Sequence, residues 1–230
     1  MERKIGVKGF DSQSLTFFKD EMKVSEREYD KQGDVFLFSS KADTSLGRIM
    51  SNHYGFYVVV NEVRFNGIEQ LFAVLHFSDY PKIQRELMGY SNVKKLKDAA
   101  KSYSKLVGVR NENGWNANLL MYCMRLKYKY CREFREGMRE LALKRGNGLC
   151  YDIPTLVEYC SYWRDPIGGT NDIDGKNWGN WKVGIVRGQN TSGRLMQRVF
   201  QEGFTGLLDA PLSAPYKDLR LFGEPIRDVA

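Results

Sequence analysis

The chain has 230 residues, 42% of them hydrophobic and 27% charged, with a formal net charge of +7. That composition suits one folded domain and excludes wholesale disorder. No apolar run approaches the ~20 residues a membrane-spanning helix needs, and the start Met1-Glu2-Arg3-Lys4-Ile5 has no apolar signal core, so the reading is a cytoplasmic protein.

In chain order, residues 1–33 are polar and mixed in charge, with room for a short helix. Val35-Phe36-Leu37-Phe38 reads as a strand, followed by a Ser/Lys/Asp-rich loop to Gly47. Residues 55–60 and 63–65 are β-rich and separated by Asn61-Glu62, which predicts a hairpin. Ile68, Leu71, Phe72 and Leu75 then recur at helical spacing. A second helix starts at Pro81 and runs to Met88, with proline in its first turn. A third follows Ser91, with Val93, Leu96, Ala100 and Tyr103 inward and Lys94, Lys95, Lys97, Lys101 and Lys105 outward. The longest helix begins near Trp115, and its stripe of Leu120, Met124, Tyr128, Cys131, Phe134, Met138 and Leu141 predicts one continuous element ended by Gly146-Asn147-Gly148. Residues 155–159 read as a strand, 161–180 as a long polar loop, and 182–186 as a short strand. A last helix spans 191–204 with Leu195, Met196, Val199 and Phe200 inward. The proline-bearing tail reads as an irregular wrap.

Four widely spaced cysteines without a C-x-x-C pair and only two histidines call for no metal, and nothing in the chain calls for an organic cofactor. Charge is unevenly placed. Between Lys82 and Arg145 lie 16 Lys and Arg against 6 Asp and Glu, a local +10. Such a segment is either a solvated set of helix faces or a surface for a polyanion such as nucleic acid.

Four groups of residues follow one another in order. The first is Phe38-Ser39-Ser40-Lys41 with Gly47 and Met50-Ser51-Asn52. The second is Glu69, at the head of the helix that ends at His76-Phe77. The third is Trp115 with Met124-Arg125-Leu126-Lys127. The fourth comprises Leu156-Val157-Glu158, Asp172 and Asp174, Trp178-Gly179, and Gly188-x-Asn190-x-x-Gly193-Arg194-Leu195-Met196. Over about residues 36–202 this order resembles the NADAR family, also called YbiA-like. Ala73 and His76 replace the family's Gln and Lys/Arg, Gly67 its serine, and Ser192 its leucine.

The resemblance implies an α+β domain, predominantly helical with a small antiparallel sheet, over residues 35–204. Residues 1–34 would be an N-terminal extension and 205–230 a tail packed on the domain. It implies an N-glycosidase that removes ADP-ribose from guanine in DNA or RNA, in a host's cytoplasm if the chain is viral. The alternatives are an N-glycosidase on small nucleotides such as riboflavin-pathway intermediates, or a module that binds ADP-ribose or nucleic acid without cleaving it.

Glu69 would be the main catalytic carboxylate, because breaking a ribose–nitrogen bond builds positive charge that a carboxylate stabilises. As a bare residue it reads first as an acidic partner of the helix dipole, and only the resemblance makes it catalytic. Asp174 joins the catalytic set and Asp172 the substrate-binding set; either would bind ribose hydroxyls, or Asp174-Gly175 simply makes a tight turn. Lys41 would attack the opened ribose as a Schiff-base nucleophile; a loop lysine is otherwise solvated. Ser51 and Asn52 join the substrate-binding set. Trp115, Trp178 and Trp181 would stack a base or pack. Arg125 and Arg194 would clamp phosphates, although Arg125, on the polar side of its helix, could equally be solvent-exposed. Gly179, Gly188, Asn190 and Gly193 would bring backbone up to a pyrophosphate at a helix N-terminus. His76 reads as a packing residue.

Overall fold

A computed structural model describes residues 27–30, 34–110, 115–143, 153–158, 180–182, 185–188 and 190–229. Seven helices are described: α1 (Ser45–Met50), α2 (Ile68–Leu75), α3 (Pro81–Met88), α4 (Val93–Val107), α5 (Trp115–Tyr130), α6 (Arg132–Leu143) and α7 (Thr191–Phe204). The strands are β1 (Arg27–Asp30), β2 (Val35–Phe38), β3 (Val58–Val60), β4 (Val63–Phe65), β5 (Thr155–Glu158), β6 (Asn180–Lys182), β7 (Ile185–Gly188), β8 (Arg220–Leu221) and β9 (Glu224–Pro225).

The centre of the molecule is α5. Twelve of its sixteen residues are buried, from Trp115 to Tyr128, so it is apolar nearly all round, as a helix enclosed by neighbours must be. It packs on α2, α6 and α7, and their inward faces complete one core. The long stripe read from sequence is buried throughout, from Leu120 to Leu141, but it belongs to two helices. The break falls at Cys131. The Arg135 guanidinium donates to the carbonyl oxygens of Tyr128 and Lys129, the acceptors a continuous helix would offer to the N–H groups of Arg132 and Glu133. Periodicity survives such a break, which is why the stripe hid it.

The sheets are small. β1, β7 and β6 form an antiparallel three-stranded sheet, with Arg27 opposite Gly188. Arg27–Asp30, in a segment read as polar extension with room for a helix, is thus a strand. β2 and β5 pair in parallel, Phe38 opposite Glu158, so this pair departs from the expected antiparallel arrangement. It brings the end of the first polar segment beside Glu158, 120 residues later in the chain. The β3–β4 hairpin turns through Asn61 and Glu62, both at positive φ (48° and 66°), the backbone twist a two-residue hairpin requires. Asn61 also holds the tail, donating to Pro225 O at 2.8 Å and accepting from the Arg227 N–H at 2.9 Å. Gln84 on α3 takes two further tail groups, Arg220 O and the Phe222 N–H. No helix among the described residues is long and apolar enough to cross a membrane.

Candidate functional site

The site is assembled at the first turn of α2. Gly67 caps that helix with φ +125°, a conformation open to glycine, and offers no side-chain cap. Gln70 compensates by reaching back to accept from the Asn66 N–H at 2.9 Å, while its amide faces Met88 O and Tyr90 O. The entry to α2 is therefore fixed, and Glu69 in its first turn is aimed consistently. The Glu69 side chain is 15% exposed, and Lys97 Nζ of α4 lies 3.0 Å from its Oε2. His53 Nε2 lies 3.5 Å from Oε1 and 3.1 Å from Lys97 Nζ. Partial burial lowers the His53 imidazole pKa against the pull of Glu69, with Lys97 and Lys127 reinforcing the fall. A neutral ring accepting from the Lys97 ammonium at Nε2 follows.

The corner carrying Ser51, Asn52 and His53 is held from below by Lys127. This lysine is fully buried on α5 and donates to Ile49 O (2.7 Å) and Ser51 O (2.6 Å), carbonyls left over at the C-terminal end of α1. Its Nζ also lies 4.7 Å from the Phe134 ring centroid. Burial lowers its pKa to about 7, opposed by Cys131, Glu158 and Glu69. Ser51 is spent on this corner, since its Oγ accepts from the His53 N–H at 3.2 Å. Asn52 is not. Its Nδ2 donates to Ser192 Oγ at 3.3 Å, whereas its buried Oδ1 has no hydrogen-bond partner. An orphaned buried acceptor beside a carboxylate is what a ligand hydroxyl or amide would satisfy.

Glu158, the last residue of β5, completes the cluster. Burial raises its pKa to about 7; a hydrogen bond from Ser192 opposes the rise, and the charge of Glu69 adds to it. Two carboxylates thus sense each other in different settings, Glu69 paired to an ammonium and Glu158 desolvated beside a hydroxyl. The Cys123 thiol, buried on α5, also responds to Glu69 and is pushed well up by burial, so it serves as inert floor.

Of the residues singled out by sequence, the structure brings Glu69, Ser51 and Asn52 together. Lys41 stands exposed in the turn between β2 and α1, its backbone N–H on Ser39 Oγ at 3.2 Å. Several expected ligand contacts turn out to be scaffolding. Arg125 makes a two-pronged pair with buried Glu202, Nε to Oε2 and Nη2 to Oε1 at 2.8 Å each, and so is not a phosphate clamp. Trp115 is 4% exposed and stacked on Tyr216 with ring centroids 4.0 Å apart, leaving no open face for a base. Gly188 is a strand residue paired with Arg27. Asn190, fully buried in left-handed backbone (φ 50°), donates to Leu156 O at 2.7 Å and accepts from the Glu158 N–H at 3.2 Å, tying α7 to β5. Gly193 is glycine because a Cβ there would run into Leu156 O and lie 2.5 Å from Asn190 Oδ1. These two residues replace the expected pyrophosphate cradle with a helix–strand clamp. It holds Glu158 and Ser192 in place.

Arg194 is half-buried in the first turn of α7, its N–H on Asn190 O. Asp172, Asp174, Trp178 and Gly179 lie outside the described residues. His76 packs, stacked on Phe72 at 6.0 Å and edge-on to Phe77, with its pKa lowered by burial.

The residues sequence reasoning missed are Glu158, Ser192, Lys127, Lys97 and His53. Glu158 and Lys127 stand within quoted motifs, and a charged residue inside an apolar run was the available signal. Lys97 looked like one more solvated lysine. Among the described residues no group of three or more His, Cys, Asp or Glu is placed to hold a metal ion.

The architecture is similar to the NMR structure of the E. coli protein YbiA. The TM-score is 0.52 at 18% sequence identity, covering 76% of this chain and 88% of that one. At that identity the likeness is one of fold. No family profile matches the chain, and no curated protein does. The chain has a YbiA-like α+β fold, predominantly helical with small sheets.

Proposed function

We propose that the chain is an N-glycosidase that hydrolyses the ribose–base bond of ADP-ribosylated guanine in nucleic acid. The carrying observation is the pair of carboxylates in unlike environments, Glu69 beside Lys97 and Glu158 with its pKa raised to about 7 by burial, within a YbiA-like fold. Unlike environments separate the roles of two carboxyl groups. Glu158 holds a proton near neutral pH and delivers it to the nitrogen of the departing base. Glu69 stabilises the positive charge growing at ribose C1 and receives a proton from the attacking water. The C1–N bond breaks, the C1–O bond forms, and a proton returning from Glu69 through solvent resets Glu158. Asn52 Oδ1 accepts from a ribose hydroxyl. The resemblance in sequence order supplies the reaction class; the local +10 of residues 82–145 favours a polyanionic substrate.

The test is release of ADP-ribose from an oligonucleotide carrying ADP-ribosylated guanine. The wild type should release it, and Glu69→Gln should be slower by roughly 10²–10⁴. The alkaline limb of kcat/KM, near pH 7, should vanish in Glu158→Gln. Cleavage of small nucleotides without cleavage of the oligonucleotide would give the chain the riboflavin-type substrate. Tight ADP-ribose binding with no cleavage of either would make it a recognition module.

A further inference from the structure

The face of α4 opposite the core carries Lys94, Lys101 and Lys105, all exposed, in register with one another at helical spacings of seven and four. Lys97 stands beside them, turned toward α2, where it pairs with Glu69. The helix holds five lysines and one carboxylate, Asp98. Among the described residues no ion pair neutralises Lys94, Lys101 or Lys105, whereas Arg110, Arg125, Arg132, Arg198 and Arg227 all have carboxylate partners. Only Leu96 is buried on this helix, so α4 rests on the protein by a narrow stripe and turns a wide cationic face to solvent. From Lys94 to Lys105 the face runs ~16 Å at 1.5 Å per residue.

We infer that this face of α4 is a track for the phosphodiester backbone of single-stranded nucleic acid, leading to the mouth of the Glu69 site at Lys97. The inference rests on the nucleic-acid reading proposed above and gives it a surface. Charge complementarity carries it: a row of unpaired ammonium groups fits a row of phosphates, and each contact releases a counterion. A single strand is the fitting partner because a base must leave its stack before its glycosidic bond can reach Glu69, which pairs with Lys97 beside the track.

The experiment measures binding of an unmodified fluorescent single-stranded oligonucleotide by anisotropy, between 50 and 200 mM salt. It compares wild type with the triple variant Lys94→Gln, Lys101→Gln, Lys105→Gln. None of the three residues belongs to the Glu69 cluster, so cleavage of a small nucleotide substrate, or binding of ADP-ribose, should be unchanged and reports correct folding. Losing three phosphate contacts should make the slope of log K against log salt less negative by about 2. Over this fourfold salt range the wild type should lose roughly 20-fold more affinity than the variant. Unchanged slope and affinity in the variant would overturn the track. Equal binding of a duplex of the same sequence would overturn the single-strand preference. Because the oligonucleotide is unmodified, the result stands apart from whether the chain cleaves anything: lysine-dependent binding by a chain that releases no ADP-ribose from the modified oligonucleotide would sink the glycosidase and keep the track.

Discussion

Replacing Arg125 with methionine should cost stability and leave nucleotide binding alone. Arg125 gives buried Glu202 two charge-assisted hydrogen bonds at 2.8 Å, and Arg198 adds a third at 3.1 Å. A hydrogen bond to a charged group contributes about 1.5–3 kcal/mol net, and the loss is greater when a buried charge stays behind. Two such bonds would suggest roughly 3–6 kcal/mol. Two features reduce that: the Arg125 side chain is 29% exposed, and Arg198 keeps part of the Glu202 charge paired. About 3 kcal/mol remains, or roughly a 6–12 °C lower Tm for a chain of this size. Thermal and urea melts followed by circular dichroism measure it, and ADP-ribose titration of the folded variant measures the alternative. Adding Glu202→Gln to Arg125→Met should cost less than the two single losses summed, by ~1–3 kcal/mol, because each single change strands what the other removes. A midpoint within ~2 °C of wild type, with ADP-ribose binding weakened several-fold, would refute the structural role and return Arg125 to the ligand.

Gly193→Ala tests the helix–strand clamp. Alanine ordinarily favours a helix by about 1 kcal/mol over glycine, but here its Cβ would meet Leu156 O, which accepts from Asn190 Nδ2, and the Asn190 amide. Overpacking should win, with a net loss of ~2 kcal/mol and a Tm drop of roughly 4–8 °C; a variant as stable as wild type would show that α7 can slide on β5. Lys127→Met tests the buried amine through pH. The folded pKa of Lys127 is lowered to about 7 from 10.5, so between those values the unfolded chain binds a proton that the folded chain has released. Wild-type stability should therefore rise with pH through that window relative to the variant, and parallel curves from pH 7 to 10 would refute the burial of this charge.

Most of the fold was legible in sequence because burial imposes periodicity. The α3 boundaries, the β2 strand, the α7 helix and the exposed lysines of α4 all follow from spacing and from residues such as Pro81. What escaped lay where a side chain rather than a period decides the outcome. Arg135 interrupts a helix without disturbing its stripe, and β1 exists because β7 gives it a partner far along the chain. The start of the short α1 falls within the stretch that reads as loop up to Gly47, since Thr44, whose side chain accepts from the Gly47 N–H, caps it inside a polar stretch.

At the site, residue types are legible in the sequence, whereas several of their partners are not. Asn190, Gly193 and Arg125 were read as ligand groups because their chemistry suits phosphate, yet that chemistry suits an unsatisfied strand carbonyl or a buried glutamate equally well. A sequence states what a side chain is able to bond, and the fold decides who reaches it first. In this chain the clamp and the candidate site are coupled for that reason: Asn190 takes the Glu158 N–H, Ser192 two residues on bonds both Asn52 and the Glu158 side chain, and Glu158 so placed has its pKa raised by burial. A substitution at Asn190, which need touch no substrate, should therefore move the pH dependence of any reaction that uses Glu158. Asn190, whose chemistry suits a ligand, instead anchors the strand end that carries Glu158.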